Sequence, residues 1–415
     1  NSQSQYSIGG VRAQGRFIGR PGSMIQNAET AIKLYGPTYN DAGGQISCNG
    51  TTFLNNSTAI EFAPYQNYWP FATSQQGQPR SYFGNFTDCV FLVDDDYSVS
   101  TPFDAFVSMT AVNGIRIYGS DFTNEQSPSS TNVQGYGYGI VASESGFRID
   151  ARCTGNTYPC NSFDRSSFTG LGYGIQISNV TTSRPYILKQ TDFTDCYYGL
   201  YNTGVSNATV LFNTFNLGQV PSTSASSDQF GVFLEMGLAG FTLQENDFIG
   251  TSGNVSNTAG TYCRHLDEFN NEIRRNTYVG LDVGNLAEGD NATSPLNKEE
   301  RGLNYLCNYN DNISTADFWV GNVFGTNRIR QSQGLQEEID NVITYSASGN
   351  RFAYAGFDFD NEGEAVDYYY YEQGAQEKPL TFFGITDIEA EENTCPVVYC
   401  EPPCKDSGEV AQEKD

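Results

Sequence analysis

Short stretches in which every second residue is apolar recur along the chain: "GIRIYG" from Gly114, "GFRID" from Gly146, "GIQIS" from Gly174 and "GFTLQ" from Gly240. Alternation with period two sets one face of an extended strand against a core and the other toward solvent. Turn-rich stretches such as "GSDFTN" separate them, and no segment carries helical periodicity with caps at both ends. The pattern predicts many short strands and no substantial helix.

The pattern also repeats. "FTDCVFLVDD" begins at Phe86 and "FTDCYYGLYN" at Phe193; the seventh residue after each Phe is aliphatic, Val93 or Leu200. Looser copies pair Phe53 with Ile60 and Phe168 with Ile175. The steps of 25 residues from Phe168 to Phe193 and 22 from Phe193 to Phe215 match one turn of a parallel β-helix. The steps of 33 from Phe53 to Phe86 and 36 from Phe86 to Phe122 match a turn plus an inserted loop. The expected fold class is therefore all-β, a right-handed parallel β-helix (solenoid) with loop insertions. Phe53, Phe86, Phe168 and Phe193 face inward, and Asn and Gly turn the corners. About a dozen turns at roughly 4.8 Å each make a rod of roughly 60 Å. An antiparallel sandwich has no need of positional likeness between copies. The helix is expected over residues 1–386, with insertions at "NEQSPSSTNVQ", "VPSTSASSDQ", "TSGNVSNTAGT" and "NLAEGDNATSPLNKEE". Residues 387–415, with nine acids against two lysines, form an acidic, Cys-containing tail or linker.

Composition narrows the partners. Among 415 residues only 17% are charged, yet the formal net charge is -26. Nucleic acid and anionic lipid both require a basic surface, so neither is an expected partner. Divalent cations and polar surfaces remain. No run is long enough to span a membrane, and nothing at Asn1 resembles a signal peptide, so a processed or excised mature segment is expected.

Ten cysteines are present. Cys153 and Cys160 bracket the turn-rich "TGNTYP" and are expected to form a local disulfide, whereas Cys89 and Cys196, at like places in the repeat, are expected to be buried thiols. Pairing of Cys48, Cys263, Cys307, Cys395, Cys400 and Cys404 stays open. Local bridges persist in oxidising compartments, which points to an extracellular or cell-surface location.

The phrases "GFTLQENDFIG", "RGLNYLCNYN" and "ENTCPVVYCEPPC" resemble secreted right-handed parallel β-helix proteins of the Bacteroidota, large surface proteins that typically travel through the type IX secretion system. Gly302, Leu303, Tyr305, Leu306, Cys307 and Asn308 match a phrase found late in that family's helix. The resemblance implies a fold and an export route, with an acidic junction leading to further domains and a sorting domain. Its motifs are architectural and imply no activity.

Three clusters carry candidate chemistry. His265 lies in "CRHLDEFNNEIRR" with Arg264, Asp267, Arg274 and Arg275, the densest ionic patch in the chain. An Arg serving as base there would make a polysaccharide lyase, although a charge of -26 repels polyuronates; the alternative is an exposed loop whose charges pair locally. Asp94, Asp95 and Asp96 could supply the two carboxylates of a glycoside hydrolase, but the Gly-His-Gly phrase of pectin hydrolases is missing, and three such acids also make a solvated turn. "DFDNEGE" places Asp358, Asp360 and Glu362 before Gly363 like the start of a calcium loop, yet Tyr369 stands where an EF-hand needs Glu. Structural calcium is thus the one candidate cofactor. Cys395, Cys400 and Cys404 lack zinc spacing, and the tyrosines of "DYYYYEQ" alternate between a buried and an exposed column or offer rings to a sugar or a subunit.

With no convergent acid, base and cation set, the expected function is an extracellular structural, adhesive or filament-forming module without catalysis. Its partners would be further copies, other surface proteins or glycans. The rival is a carbohydrate-active enzyme, lyase or hydrolase, or a glycan-binding module.

Overall fold

The computed structural model describes residues 11–13, 15–36, 44–64, 84–126, 133–155, 160–179, 184–218, 228–236, 240–251, 257–266, 269–293, 301–321, 327–339, 342–392 and 395, with backbone alone at 11–13, 337–339 and 342–343. Three long sheets dominate. Sheet 1 has 13 strands, from Val11–Ala13 to Phe382–Phe383; sheets 2 and 3 have 10 each. Their neighbouring strands pair in parallel. One turn of the coil runs through Ile187–Lys189 in sheet 2, Thr191–Thr194 in sheet 3 and Tyr198–Thr203 in sheet 1; the next runs through Thr209–Leu211, Thr214–Leu217 and Gln229–Glu235. The protein is a right-handed parallel β-helix, the hand that parallel crossovers adopt. The only helical element among the described residues is a 3-10 turn at Val133–Tyr136.

Burial of aromatic rings drives the coil. Phe53, Phe91, Phe122, Phe168, Phe193, Phe215, Phe248 and Tyr278 occupy matching places in successive strands of sheet 3. Their rings stack with centroids 4.5–5.1 Å apart, the separation that strand spacing imposes. Each buried ring contributes about 1.5–3 kcal/mol by leaving water. Room for the stack comes from sheet 1. A Cβ on Gly139, Gly174, Gly199, Gly231 or Gly260 would lie 2.4–2.7 Å from a ring carbon of Phe168, Phe193, Phe215, Phe248 or Tyr278 respectively.

The corner between sheets 2 and 3 is the tightest. Phe212, Glu245, Arg275 and Cys307 each take positive φ, from 53° to 58°, and each precedes a buried Asn. Asn213, Asn246, Asn276, Asn308 and Asn350 form a ladder in which the backbone N–H of each of the first four donates to the Oδ1 of the next, at 2.9–3.0 Å. Their amide nitrogens donate to core-side carbonyls such as Leu188, Val210, Leu243 and Ile273. Each Asn side chain thus accepts a backbone N–H that the turn withdraws from the sheets and adds a second donor to a strand carbonyl.

The four expected Phe residues are all buried, but the two "FTDC" phrases are not equivalent, which corrects the repeat register. Phe193 belongs to sheet 3, opposite Phe168, whereas Phe86 belongs to sheet 2, opposite Cys48 and Ile117. The true counterpart of Phe53 is Phe91. The phrases share a corner shape: Asp88 and Asp195 have φ of 59° and 56° and are followed by a buried Cys. They turn different corners, so Cys89 and Cys196 lie in different columns.

Near the C-terminus, Ser332–Gln333, Val366–Tyr370 and Ile385–Glu389 form a parallel sheet, and Leu335–Ile339 pairs antiparallel with Val342–Ser346. Along Val366–Tyr370 burial alternates, with Tyr368 and Tyr370 inside. Among the described residues two disulfides are present, Cys153–Cys160 and Cys307–Cys395. Cys400 and Cys404 lie outside the described residues.

Candidate functional site

The outer face of sheet 1 carries aromatic columns of its own. Tyr138, Tyr173, Tyr198 and Phe230 are register partners, with centroids 4.8–5.5 Å apart. Beside them run Tyr201, Phe233 and Tyr262, followed by Leu286 and Trp319. The cause is local. After the inward Gly and its inward aliphatic neighbour, as in Tyr173-Gly174-Ile175-Gln176, the strand resumes alternation, so three residues of the strand, Tyr173, Gln176 and Ser178, point outward. Tyr138, Tyr173, Tyr198 and Tyr201 are half-buried, while Phe230, Phe233 and Tyr262 are buried.

A charged column borders the rings. Glu235, Arg264 and Glu288 are register partners at the ends of three successive strands. Arg264 pairs with Glu235 and lies over Phe233 and Tyr262, 5.1 and 5.9 Å from the ring centroids. Tyr201 donates to Glu235 and Tyr262 to Glu288. Burial, then its bond to Glu235, pushes the Tyr201 hydroxyl up to about 12; burial and Glu288 push Tyr262 higher still. Burial works against the charge on Arg264, but the Glu235 carboxylate outweighs it and holds the guanidinium protonated. These groups satisfy one another. At neutral pH neither tyrosine is a base, and Arg264 stays a cation. The arrangement suits stacking and hydrogen bonding.

The residues of the His265 patch lie at two separate corners. Arg264 and His265 end a strand of sheet 1; Arg274 and Arg275 end the following strand of sheet 2, where Arg275 pairs with Glu245 at 3.7 Å. His265 Nδ1 accepts a hydrogen bond from the backbone of Asp290 at 3.2 Å. Asp267 lies outside the described residues. Asp94 exchanges hydrogen bonds with Asn55 at 2.7 and 2.9 Å and accepts the Asp96 N–H, while Asp95 and Asp96 are exposed. Of the calcium candidates, Asp358 is buried and accepts the backbone N–H groups of Leu380 and Thr381. Asp360 and Glu362 instead line an open groove with Phe357, Phe382 and Phe383. Among the described residues no three His, Cys, Asp or Glu converge as a metal group.

The outer columns carried a sequence signal, the "YGI", "YGL" and "FGV" triplets that set an aromatic before the inward Gly139, Gly174, Gly199 and Gly231. The Glu235–Arg264–Glu288 column had none, because its members come from three turns of the coil. Among the described residues no helix is long and apolar enough to cross a membrane. Comparison with family models and with curated sequences finds no match. Among solved structures, the chain is similar to the periplasmic alginate epimerase AlgG, at 11% identity and a TM-score of 0.36, over 93% of this chain and 79% of that one. It is also similar to PfbA, a surface adhesin of Streptococcus pneumoniae, at 10% identity and a TM-score of 0.32, over 80% of this chain and 91% of that one.

Proposed function

We propose that the chain is an extracellular adhesive or structural β-helix that binds through the outer face of sheet 1 without turning its partner over. One observation carries this reading: a stacked aromatic face whose bordering acids, tyrosines and arginine are already paired with one another. Half-buried tyrosine rings offer flat, weakly hydrated surface to sugar rings or to another surface protein. Two disulfides support an oxidising, extracytoplasmic location. The Bacteroidota origin, the type IX route and the division into a helix over 1–386 and a tail over 387–415 belong to the same proposal. They rest on the Gly302–Asn308 phrase and on composition.

A glycan and polysaccharide panel tests it. Retention of polysaccharides that weakens when Tyr138, Tyr173 and Tyr198 are changed to Ala, without release of products, supports the reading; sustained product release overturns it. The carbohydrate-active alternative draws on Glu235 and Glu288, which flank Arg264 one strand away on either side. Its signature would be turnover abolished by Glu235→Gln or Glu288→Gln. Electron microscopy of the native assembly separates a filament from a dispersed binder.

A further inference from the structure

At its C-terminal end the outer face of sheet 1 changes character. Phe357, Asp360, Glu362, Phe382 and Phe383 line an open groove of about 590 Å³, within the range of small-molecule sites. Asp360 and Phe383 are register partners on neighbouring strands, and Phe382–Phe383 is the last strand of the sheet. The rings are accessible: Phe357 is 43% exposed, Phe382 38% and Phe383 59%, whereas Phe233 farther up the face is 4% exposed.

Among the described residues no ion pair reaches Asp360 or Glu362, and cations from nearby turns are engaged elsewhere. Lys378 sits with Glu372 and over the Tyr370 ring, Arg328 with Asp290, and Arg351 over Tyr309. Burial and the neighbouring Glu362 both raise the Asp360 carboxyl above its ordinary range, as expected where negative charge lacks compensation.

Phenyl faces and carboxylates share one electrostatic preference: both attract a cation and disfavour an anion. The rings also select among cations. A calcium ion takes six to eight oxygen ligands, and three phenyl rings displace its water without replacing it. An organic ammonium suits both halves of the lining, because its carbons pack on the rings while its charge is balanced by the acids. We propose that this groove binds an organic ammonium group, with Phe357, Phe382 and Phe383 on its carbon surface and Asp360 and Glu362 opposite its charge. The site continues the column that ends at Trp319, whose register partner Asp360 lies three strands beyond Tyr262, and it does not depend on the adhesive reading.

Calorimetric titration of the full chain tests the assignment, using choline, Nα-acetyl-lysine methylamide and the uncharged choline isostere 3,3-dimethylbutan-1-ol. Saturable one-site binding of either cation is expected, with the isostere at least about ten-fold weaker. Asp360→Asn with Glu362→Gln, and separately Phe383→Ala, should each weaken the cation about ten-fold while the melting temperature holds. Preference for choline identifies a quaternary headgroup as the source; preference for the lysine derivative identifies a protein side chain. Equal binding of the isostere, unchanged binding by the double variant, or no saturation by either cation overturns the proposal. Saturable calcium binding abolished by the same double variant also overturns it, in favour of a metal.

Discussion

A methyl group on Gly199 would sit 2.6 Å from Cδ1 of Phe215. The glycine of one turn is the socket for the ring of the next, and the pairing recurs at Gly139, Gly174, Gly231 and Gly260. The same methyl would meet the Gly231 carbonyl oxygen at 2.7 Å, so backbone as well as ring must shift. Gly199→Ala is therefore expected to destabilise the helix by about 1–3 kcal/mol, the usual range for overpacking. Phe215→Leu in the same chain should recover only part of this, because the carbonyl contact remains. Thermal denaturation of the single and double variants checks it; an unchanged midpoint for Gly199→Ala would refute the lock.

The lock ends where polarity enters. In the column of inward glycines Asp317 follows Gly284, Asp358 follows Asp317, and Asn310 stands where Tyr278 stood one turn earlier. Burial, with the facing Asp358, pushes the Asp317 carboxyl up to about 8, against the opposing hydrogen bond from the Ala353 N–H. Asp317 is thus protonated in the folded state at neutral pH but ionised in the unfolded chain. The folded state binds the extra proton, so stability falls as pH rises from the ordinary value of 3.8 toward about 8, and this loss is complete above that. Asp317→Asn removes the ionisation and should raise stability by about 1–3 kcal/mol near pH 8 and little near pH 4. An equal gain at both pH values would refute the linkage.

How much of this was legible follows from which interactions are local. Alternation and the Phe-to-aliphatic spacing report one strand and one corner, and they gave the fold. The register failed at Phe86, since an inward Phe, a half-buried Thr, an Asp at positive φ and a buried Cys fit either corner equally well. The Asn ladder was visible only as "END", "RNT", "CNYN" and "GNR", whose link lies between turns more than 20 residues apart. Asp358 and Asp360, two positions apart, read as neighbouring ligands of one calcium loop. The strand turns two successive residues inward at Asp358 and Phe359, which sends Asp360 out. Such breaks in alternation depend on what the neighbouring turn supplies.

The thiols divide by environment. Cys48, Cys89, Cys196 and Cys263 are free and buried. Burial pushes Cys48 up to about 12, with Cys89 adding to it, and Cys89 itself up to about 11. Thiolate is scarce and access is closed, so iodoacetamide should leave all four unmodified in the folded protein and label them after denaturation. Cys307–Cys395 closes 88 residues and is expected to contribute about 4–5 kcal/mol in the chain-entropy model. Cys153–Cys160 spans 7 residues and should contribute about 2 kcal/mol. Cys307→Ala with Cys395→Ala should lower the melting temperature more than Cys153→Ala with Cys160→Ala; the reverse order would refute this account.

The Asn ladder makes the sharpest demand on residue type. Asn246 Nδ2 donates to the Val210 and Gln244 carbonyls at 3.0 Å, while its Oδ1 accepts the Asn213 N–H at 3.0 Å. Asn246→Ala deletes the donor and the acceptor together: the Asn213 N–H is left buried without its acceptor, and the Val210 carbonyl, which stays in the strand ladder, loses its second donor. A stranded group costs about 1–3 kcal/mol, so a loss of about 1–3 kcal/mol is expected. A hydroxyl can do part of the task. One place before Asn213 in the same column, Thr191 donates through Oγ1 to the Lys189 carbonyl at 3.0 Å, two residues back along the chain. Ser120, in the same column, donates to the Tyr118 carbonyl and accepts the Cys89 N–H. Asn246→Ser should therefore restore the contacts to Gln244 and to the Asn213 N–H but not reach Val210, and its stability should fall between Asn246→Ala and the native chain. Urea denaturation of the three proteins decides the order, and hydrogen exchange at the Asn213 amide reports the lost acceptor directly. If Asn246→Ala protects that amide as well as the native chain does, the ladder is not what holds this corner.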